Sequence, residues 1–166
     1  MKLITDKRTV GEVKEILKSF LTDLGIQIIE EMDRGYDWGF WIKFGNFPLL
    51  IQNQKDVYYS VIALHLSVIN EKAVARLNEM YEKNDTLAVF ELNRAFTTPL
   101  TGFSRVIEHG SVTGYVITKY IFPYHPGFTI EDLDAALQAV VSAGCIGVSY
   151  LKTIVDEVAL ERPHSI

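Results

Sequence analysis

Four histidines (His65, His109, His125 and His164) and one cysteine (Cys145) are the side chains best suited to proton transfer, nucleophilic attack or metal ligation. A metal site needs two or three ligands that converge, as two histidines four apart on a helix do, and no such spacing occurs. His65 falls at a strand end, His109 in a hairpin loop and His125 between Pro123 and Pro126, so each reads as a structural or turn residue. Cys145 lies among Ala143, Gly144 and Gly147, far from the helix start at Thr129 that could lower its pKa, and reads as a buried, inert thiol. Gly35-x-x-x-Gly39 lacks the following Lys-Ser/Thr of a phosphate loop, and no Gly-x-Ser-x-Gly elbow is present. The carboxylate pairs Glu30-Glu31 and Asp132/Asp134 point to different faces or sit at a solvated helix start. The expectation is a non-enzymatic protein with no catalytic residue, cofactor or metal.

The residues most able to bind are aromatic. Tyr36, Trp38, Phe40, Trp41, Phe44 and Phe47 crowd twelve positions. Rings on a strand stack bases only when cations hold the phosphates, and here Glu30, Glu31, Asp33 and Asp37 offset Arg34 and Lys43. The formal net charge of −5 also argues against a broad polyanion-binding surface. Nucleic acid is therefore not an expected partner, and core packing is the expected role of these rings.

The elements that must position these groups follow from periodicity. Thr9 and Glu12 spell a capping box, and Val10, Val13, Ile16, Leu17, Phe20, Leu21 and Leu24 make one apolar helical face that ends at Gly25. Strands are expected at 26–32, 38–44, 47–53 and 57–66, joined by short turns at 33–37, Gly45-Asn46 and 54–56. Such short links make an antiparallel meander. Asn70 can cap a helix carrying Val74, Leu77 and Tyr81, and Asn84-Asp85-Thr86 can cap another that reaches about Arg94 and ends at Thr97-Thr98-Pro99. A hairpin over 103–107 and 112–122 and a rigid Pro123–Gly127 connector lead into a last helix capped by Thr129, with a stripe running to Val158.

Segregated helices and antiparallel strands give an α+β class, with the order helix–strands–helix–hairpin–helix and a sheet of about five or six strands. A length of 166 residues suits a single domain, placed at 1–158, with a frayed tail at 159–166. The N-terminus lacks a signal-peptide core, and Ala135–Leu151, about 17 residues rich in Ala, Gly and Ser, is marginal for a membrane span. A cytoplasmic protein that does not enter the membrane is expected.

The chain resembles the type III secretion chaperone-like superfamily, and within it the YbjN-type family. The residues that carry the resemblance are the first helix, the meander, Phe90-Glu91-Leu92-Asn93-Arg94 ahead of a hairpin, Phe103–Pro123, and the helix opening Phe128-Thr129-Ile130-Glu131-Asp132-Leu133. It covers Thr9 to about Glu157. The N-terminal block reads as four strands where that family has three. The resemblance implies a chaperone-like, protein-binding module, usually dimeric.

Two patterns bear on where a partner would sit. Strands 38–44 and 57–66 are apolar on both faces, which requires either a second covering layer or a partner. Trp41, Tyr58, Ile62 and Leu64 are the candidate contacts of a homodimer. In the last helix, Ala139, Ala143 and Gly147 recur every fourth residue beside Ala136, Val140 and Gly144, a row that lets the sheet or a partner helix approach closely. The alternative function is a small-ligand or catalytic pocket around Trp38, Trp41 and Tyr59.

Overall fold

The structure, a computed structural model, describes residues 7–33, 38–98, 100–155 and 158–161. Of the turn expected at 33–37, Asp33 ends the first strand and residues 34–37 lie outside the described residues, as do the stop at Pro99 and the tail beyond Glu161, with His164.

Helix α1 (Val10–Asp23) opens with the expected capping box: the Glu12 amide donates to Thr9 Oγ1 at 3.2 Å, and the Thr9 amide donates to the Glu12 carboxylate at 2.6 Å. Four strands follow, β1 (Ile28–Asp33), β2 (Trp38–Phe44), β3 (Phe47–Asn53) and β4 (Ser60–Val68). Phe44 faces Phe47 across the two-residue Gly45-Asn46 turn, where Gly45 takes φ 60°. Helices α2 (Glu71–Glu82) and α3 (Thr86–Phe96) start at caps Asn70 and Asp85. The hairpin of β5 (Gly102–Glu108) and β6 (Ser111–Ile121) turns through His109 and Gly110, both at positive φ, so His109 is a turn residue as expected. Thr129 and Asp132 form a second capping box on α4 (Ile130–Ile154).

The strands make one antiparallel sheet in the order β1-β2-β3-β4-β6-β5, and the class is α+β as read from the sequence. Among the described residues it has seven strands rather than five or six. The seventh corrects the reading of the C-terminus. The stripe expected to continue the last helix to Val158 stops at Ile154, because Val155 turns extended. Val158–Glu161 then becomes β7, pairing with His65–Val68 on the stretch of β4 beyond its pairing with β3. Residues 159–161, expected to fray, are held by that ladder.

All four helices contribute to one core on one face of the sheet. Val13, Leu17 and Leu21 of α1, Leu77 of α2, Leu92 and Phe96 of α3, and Leu133, Leu137, Val140 and Leu151 of α4 join Phe40, Ile42, Ile51, Ile62, Leu64, Leu66 and Ile117 there. The opposite face is also apolar at its centre: Trp41, Leu50, Val61, Ala63 and Val116 are buried but stand outside that core. Gly39 keeps this second face closed, since a Cβ on it would press on the Met32 methyl at 3.1 Å. The double-sided pattern of β2 and β4 therefore reflects two buried surfaces, with the described helices on one of them.

Helix α4 is long and apolar enough to cross a membrane by length and composition. Its apolar stripe is spent on the core instead, with Leu133, Leu137, Val140, Ala143 and Leu151 all buried. The small-residue row serves this packing. A Cβ on Gly144 would strike Leu64, and one on Gly147 would strike the Phe96 ring, so the sheet and α3, rather than a partner helix, occupy the C-terminal part of the row.

Candidate functional site

Of the four candidate contact residues, three are inside. Ile62 and Leu64 are wholly buried in the helix-side core, and Trp41 is 7% exposed on the opposite face. The cause is the strand period: Ile62 and Leu64 share the helix-side parity of β4, and Trp41 has the parity opposite to Phe40 and Ile42 on β2. Only Tyr58, which precedes β4, is exposed, at 62%. The structure does not bring the four together.

Tyr58 belongs instead to an aromatic end of the sheet. Its ring meets Tyr124 edge-on at 5.7 Å, and Lys7 Nζ lies 4.2 Å above it. Tyr59 meets Tyr120 edge-on at 5.2 Å. Tyr120 is 55% exposed and Phe122 is 58% exposed.

Next to this end, β6, α4 and the connector enclose a cleft of about 430 Å³. Its floor is Ile121 and Phe128, both buried, and one wall is the small side chains Ala135, Ala136 and Ala139 of α4. Leu100, 60% exposed, and Phe122 form its rim. The polar groups are Lys119, His125, Asp132 and the Tyr120 hydroxyl. The cleft is not the aromatic pocket expected around Trp38, Trp41 and Tyr59, none of which lines it. Trp38 packs at 5.0 Å against Phe40 within the core.

The connector that shapes the cleft is held by a residue the sequence did not single out. Arg8 donates from Nη1 to the carbonyls of Pro123 at 3.0 Å, His125 at 3.2 Å and Phe128 at 3.4 Å, and from Nη2 to Pro126 at 3.0 Å. The Arg8 amide adds a bond to the Tyr124 carbonyl at 3.1 Å. A planar cation with five donors is suited to gathering several carbonyls of one loop. Below, Tyr124 donates to Asn53 Oδ1 at 2.8 Å in the interior, and burial raises the Tyr124 hydroxyl pKa despite that bond.

Lys119 was also missed, although β6 contained its signal. Ile117, Lys119 and Ile121 share one parity, so a cation stands in an apolar stripe facing α4. His125, expected to be a turn residue, is one, and it lines the cleft as well. Its Nδ1 accepts from the Gly127 amide at 3.0 Å, which leaves Nε2 to carry the proton in the neutral ring. The Asp132 carboxylate is engaged by the Thr129 amide at 2.8 Å and hydroxyl at 3.2 Å.

The remaining reactive groups are dispersed. Cys145, expected to be buried, is exposed on α4, because its position faces away from the stripe that buries Ala143, Gly144 and Gly147. His65 is half-buried on β4 opposite Val116. Among the described residues, no three His, Cys, Asp or Glu side chains converge on a metal position. Tyr115 and Tyr81 share a 2.7 Å hydroxyl contact under α2, and burial drives the Tyr115 pKa strongly upward, which makes this pair a fixture of the core.

A crystal structure of an uncharacterized protein from Methanothermobacter thermautotrophicus matches with a TM-score of 0.69 and 13% identity, covering 85% of this chain and 97% of that one. YbjN from E. coli, described as a proposed transcription regulator, matches with a TM-score of 0.52 and 12% identity, covering 86% and 94%. The chain has a YbjN-like fold. At these identities the likeness concerns the fold. No protein-family model and no curated protein matches the chain. Both matched structures are spanned almost end to end.

Proposed function

We propose that this chain is a non-enzymatic binding module of the cytoplasm that acts as a homodimer and offers a chaperone-like surface to a protein partner. The observation that supports this reading is the aromatic end of the sheet, where Tyr120 and Phe122 line the cleft with Leu100, all three more than half exposed, and where Tyr58, beside Tyr124, is exposed as well. A two-fold pair would use this patch on both copies. Large rings that lose their water dominate the energy of such contacts. A stable pair would bury roughly 1,200–2,000 Å² in total. The regulatory role proposed for YbjN is a weaker model for this chain: the net charge is −5, and the rings of Trp38 and Phe40 are turned into the core rather than offered to bases.

The test is light-scattering mass at micromolar concentration. A dimer is expected, and Tyr58→Glu combined with Tyr120→Glu should bring it to the monomer mass with an unchanged circular dichroism spectrum, since both rings are already in water. A wild-type monomer at that concentration overturns the association.

A further inference from the structure

We propose that the cleft between β6 and α4 binds a small monocarboxylate with an apolar body, the carboxylate seated on Lys119 and the body against the alanine wall of α4. This goes beyond the protein-binding reading and does not depend on it. The cleft volume of about 430 Å³ falls within the roughly 300–1,000 Å³ typical of small-molecule sites. Its walls are apolar except at Lys119, Tyr120, His125 and Asp132, which is the usual composition of such a site: a greasy enclosure with a few polar groups that fix orientation.

Charge decides the ligand class. Lys119 is half-buried and forms no ion pair among the described residues, whereas Lys14 and Lys18 are both paired with carboxylates of β1. Cations on an apolar stripe are usually matched by an anion, because desolvation without one is costly. Asp132, the carboxylate in the lining, keeps its charge at the start of α4, where its Oδ2 accepts from the Thr129 amide and hydroxyl, and it makes no ion pair with Lys119 among the described residues. His125 adds a second donor, because the Gly127 amide occupies its Nδ1 and leaves Nε2–H available. One ammonium and one imidazole N–H can serve the two oxygens of a carboxylate. Ile121, Phe122 and Phe128 supply flat apolar surface for a ring or short chain. Arg8 pre-organises the connector, so His125 needs little ordering when the ligand arrives.

Three probes that share one body separate this proposal from simple greasiness: 4-phenylbutyrate, 4-phenylbutanol and 4-phenylbutylamine. Each is titrated into the full chain while backbone amide shifts are followed by NMR. The acid should perturb residues 119–122 and 135–139 and bind about tenfold more tightly than the alcohol, with the amine weaker still. Lys119→Gln, with Lys119→Met as a second variant, should bring acid and alcohol to equal affinity. Ala139→Leu should abolish both by filling the space. Equal affinities of acid and alcohol for the wild type, preference for the amine, perturbations outside the cleft, or no perturbation at about 10 mM would each overturn the proposal. So would cleft shifts that follow protein concentration without any probe, since a second copy would then be the occupant.

Discussion

The two halves of α4 use the same kind of residue to opposite ends. In the C-terminal half, Gly144 and Gly147 bring the helix axis so near Leu64 and Phe96 that an added Cβ would overlap their side chains unless these shift. In the N-terminal half, Ala135, Ala136 and Ala139 leave a cleft unfilled against β6. Small side chains shorten the distance between elements only where a large partner reaches across. Phe96 from α3 and Leu64 from β4 do so at one end. At the other, α3 has ended, β5 begins only opposite Thr118, and Lys119 and Ile121 of β6 share the helix-side face on a stretch paired with β4 but not with β5. The lesson is that a row of small residues specifies proximity or vacancy according to what stands opposite, which one helix sequence does not contain.

The largest test of this contrast is Gly147→Val. The added carbons would overlap the Phe96 ring, itself stacked on Tyr115 at 4.4 Å, so neither ring can yield cheaply. A loss of about 3 kcal/mol in urea unfolding is expected, at the upper end of overpacking costs. A loss under 1 kcal/mol would mean that the α3–α4 seam is loose. Next in size is Arg8→Ala, which removes four carbonyl partnerships from the connector. It should cost about 1–2 kcal/mol and speed amide exchange at 124–128, because hydrogen bonds to a charged group are stronger than neutral ones. Unchanged exchange would show that the prolines alone hold the loop.

Gly144→Ala sharpens the comparison. The new methyl would meet the Cδ2 end of Leu64, a flexible tip rather than a ring. The gain of about 1 kcal/mol in helix propensity should offset most of the crowding, leaving a change within about 1 kcal/mol of zero in thermal unfolding. Ala139→Leu, in the open half, should shift stability by less still, about 0.5 kcal/mol either way, since its side chain enters the cleft rather than a neighbour. A large loss there would show that the cleft is closed in solution.

The smallest expected effect is electrostatic and lies on α1, away from both halves. Lys14 and Lys18 hold Glu31 at 2.6 and 2.7 Å, and these hydrogen bonds keep its carboxyl below the ordinary 4.5. A depressed carboxylate contributes stability that is complete above its unfolded value and is lost as pH falls through the lower folded value. Glu31→Gln should therefore lower stability slightly at pH 7 and make no difference at pH 2, with the two stability curves converging below pH 4.5. Curves that stay parallel down to pH 2 would assign the effect to packing.

Much of the architecture was legible along the chain because it is local. Thr9/Glu12 and Thr129 specify helix starts through bonds that span three residues, and Gly45-Asn46 and His109-Gly110 specify hairpins by their tolerance of positive φ. Parity within β4 already separated Ile62 and Leu64 from Val61 and Ala63. What parity cannot say is which face the helices take, so Ile62 and Leu64 were read as contact residues when they are core. Likewise, the stripe of the last helix runs on into Val155 and Val158, and only the open stretch of β4 beyond β3 decides that the chain leaves the helix and pairs there.

By itself, then, the sequence determined the α+β class, the capped helices, the tight turns and the absence of any clustered catalytic spacing, all set by forces acting within a few residues. The tertiary structure alone decided the rest. It packed the α4 glycines against Phe96 and Leu64, exposed Cys145, and set Arg8 on a loop more than a hundred residues away. It also placed Lys119, His125 and three alanines around one cleft. These are consequences of which distant surfaces meet, and that depends on burying the apolar faces of all the elements at once, a condition no single stretch of the chain records.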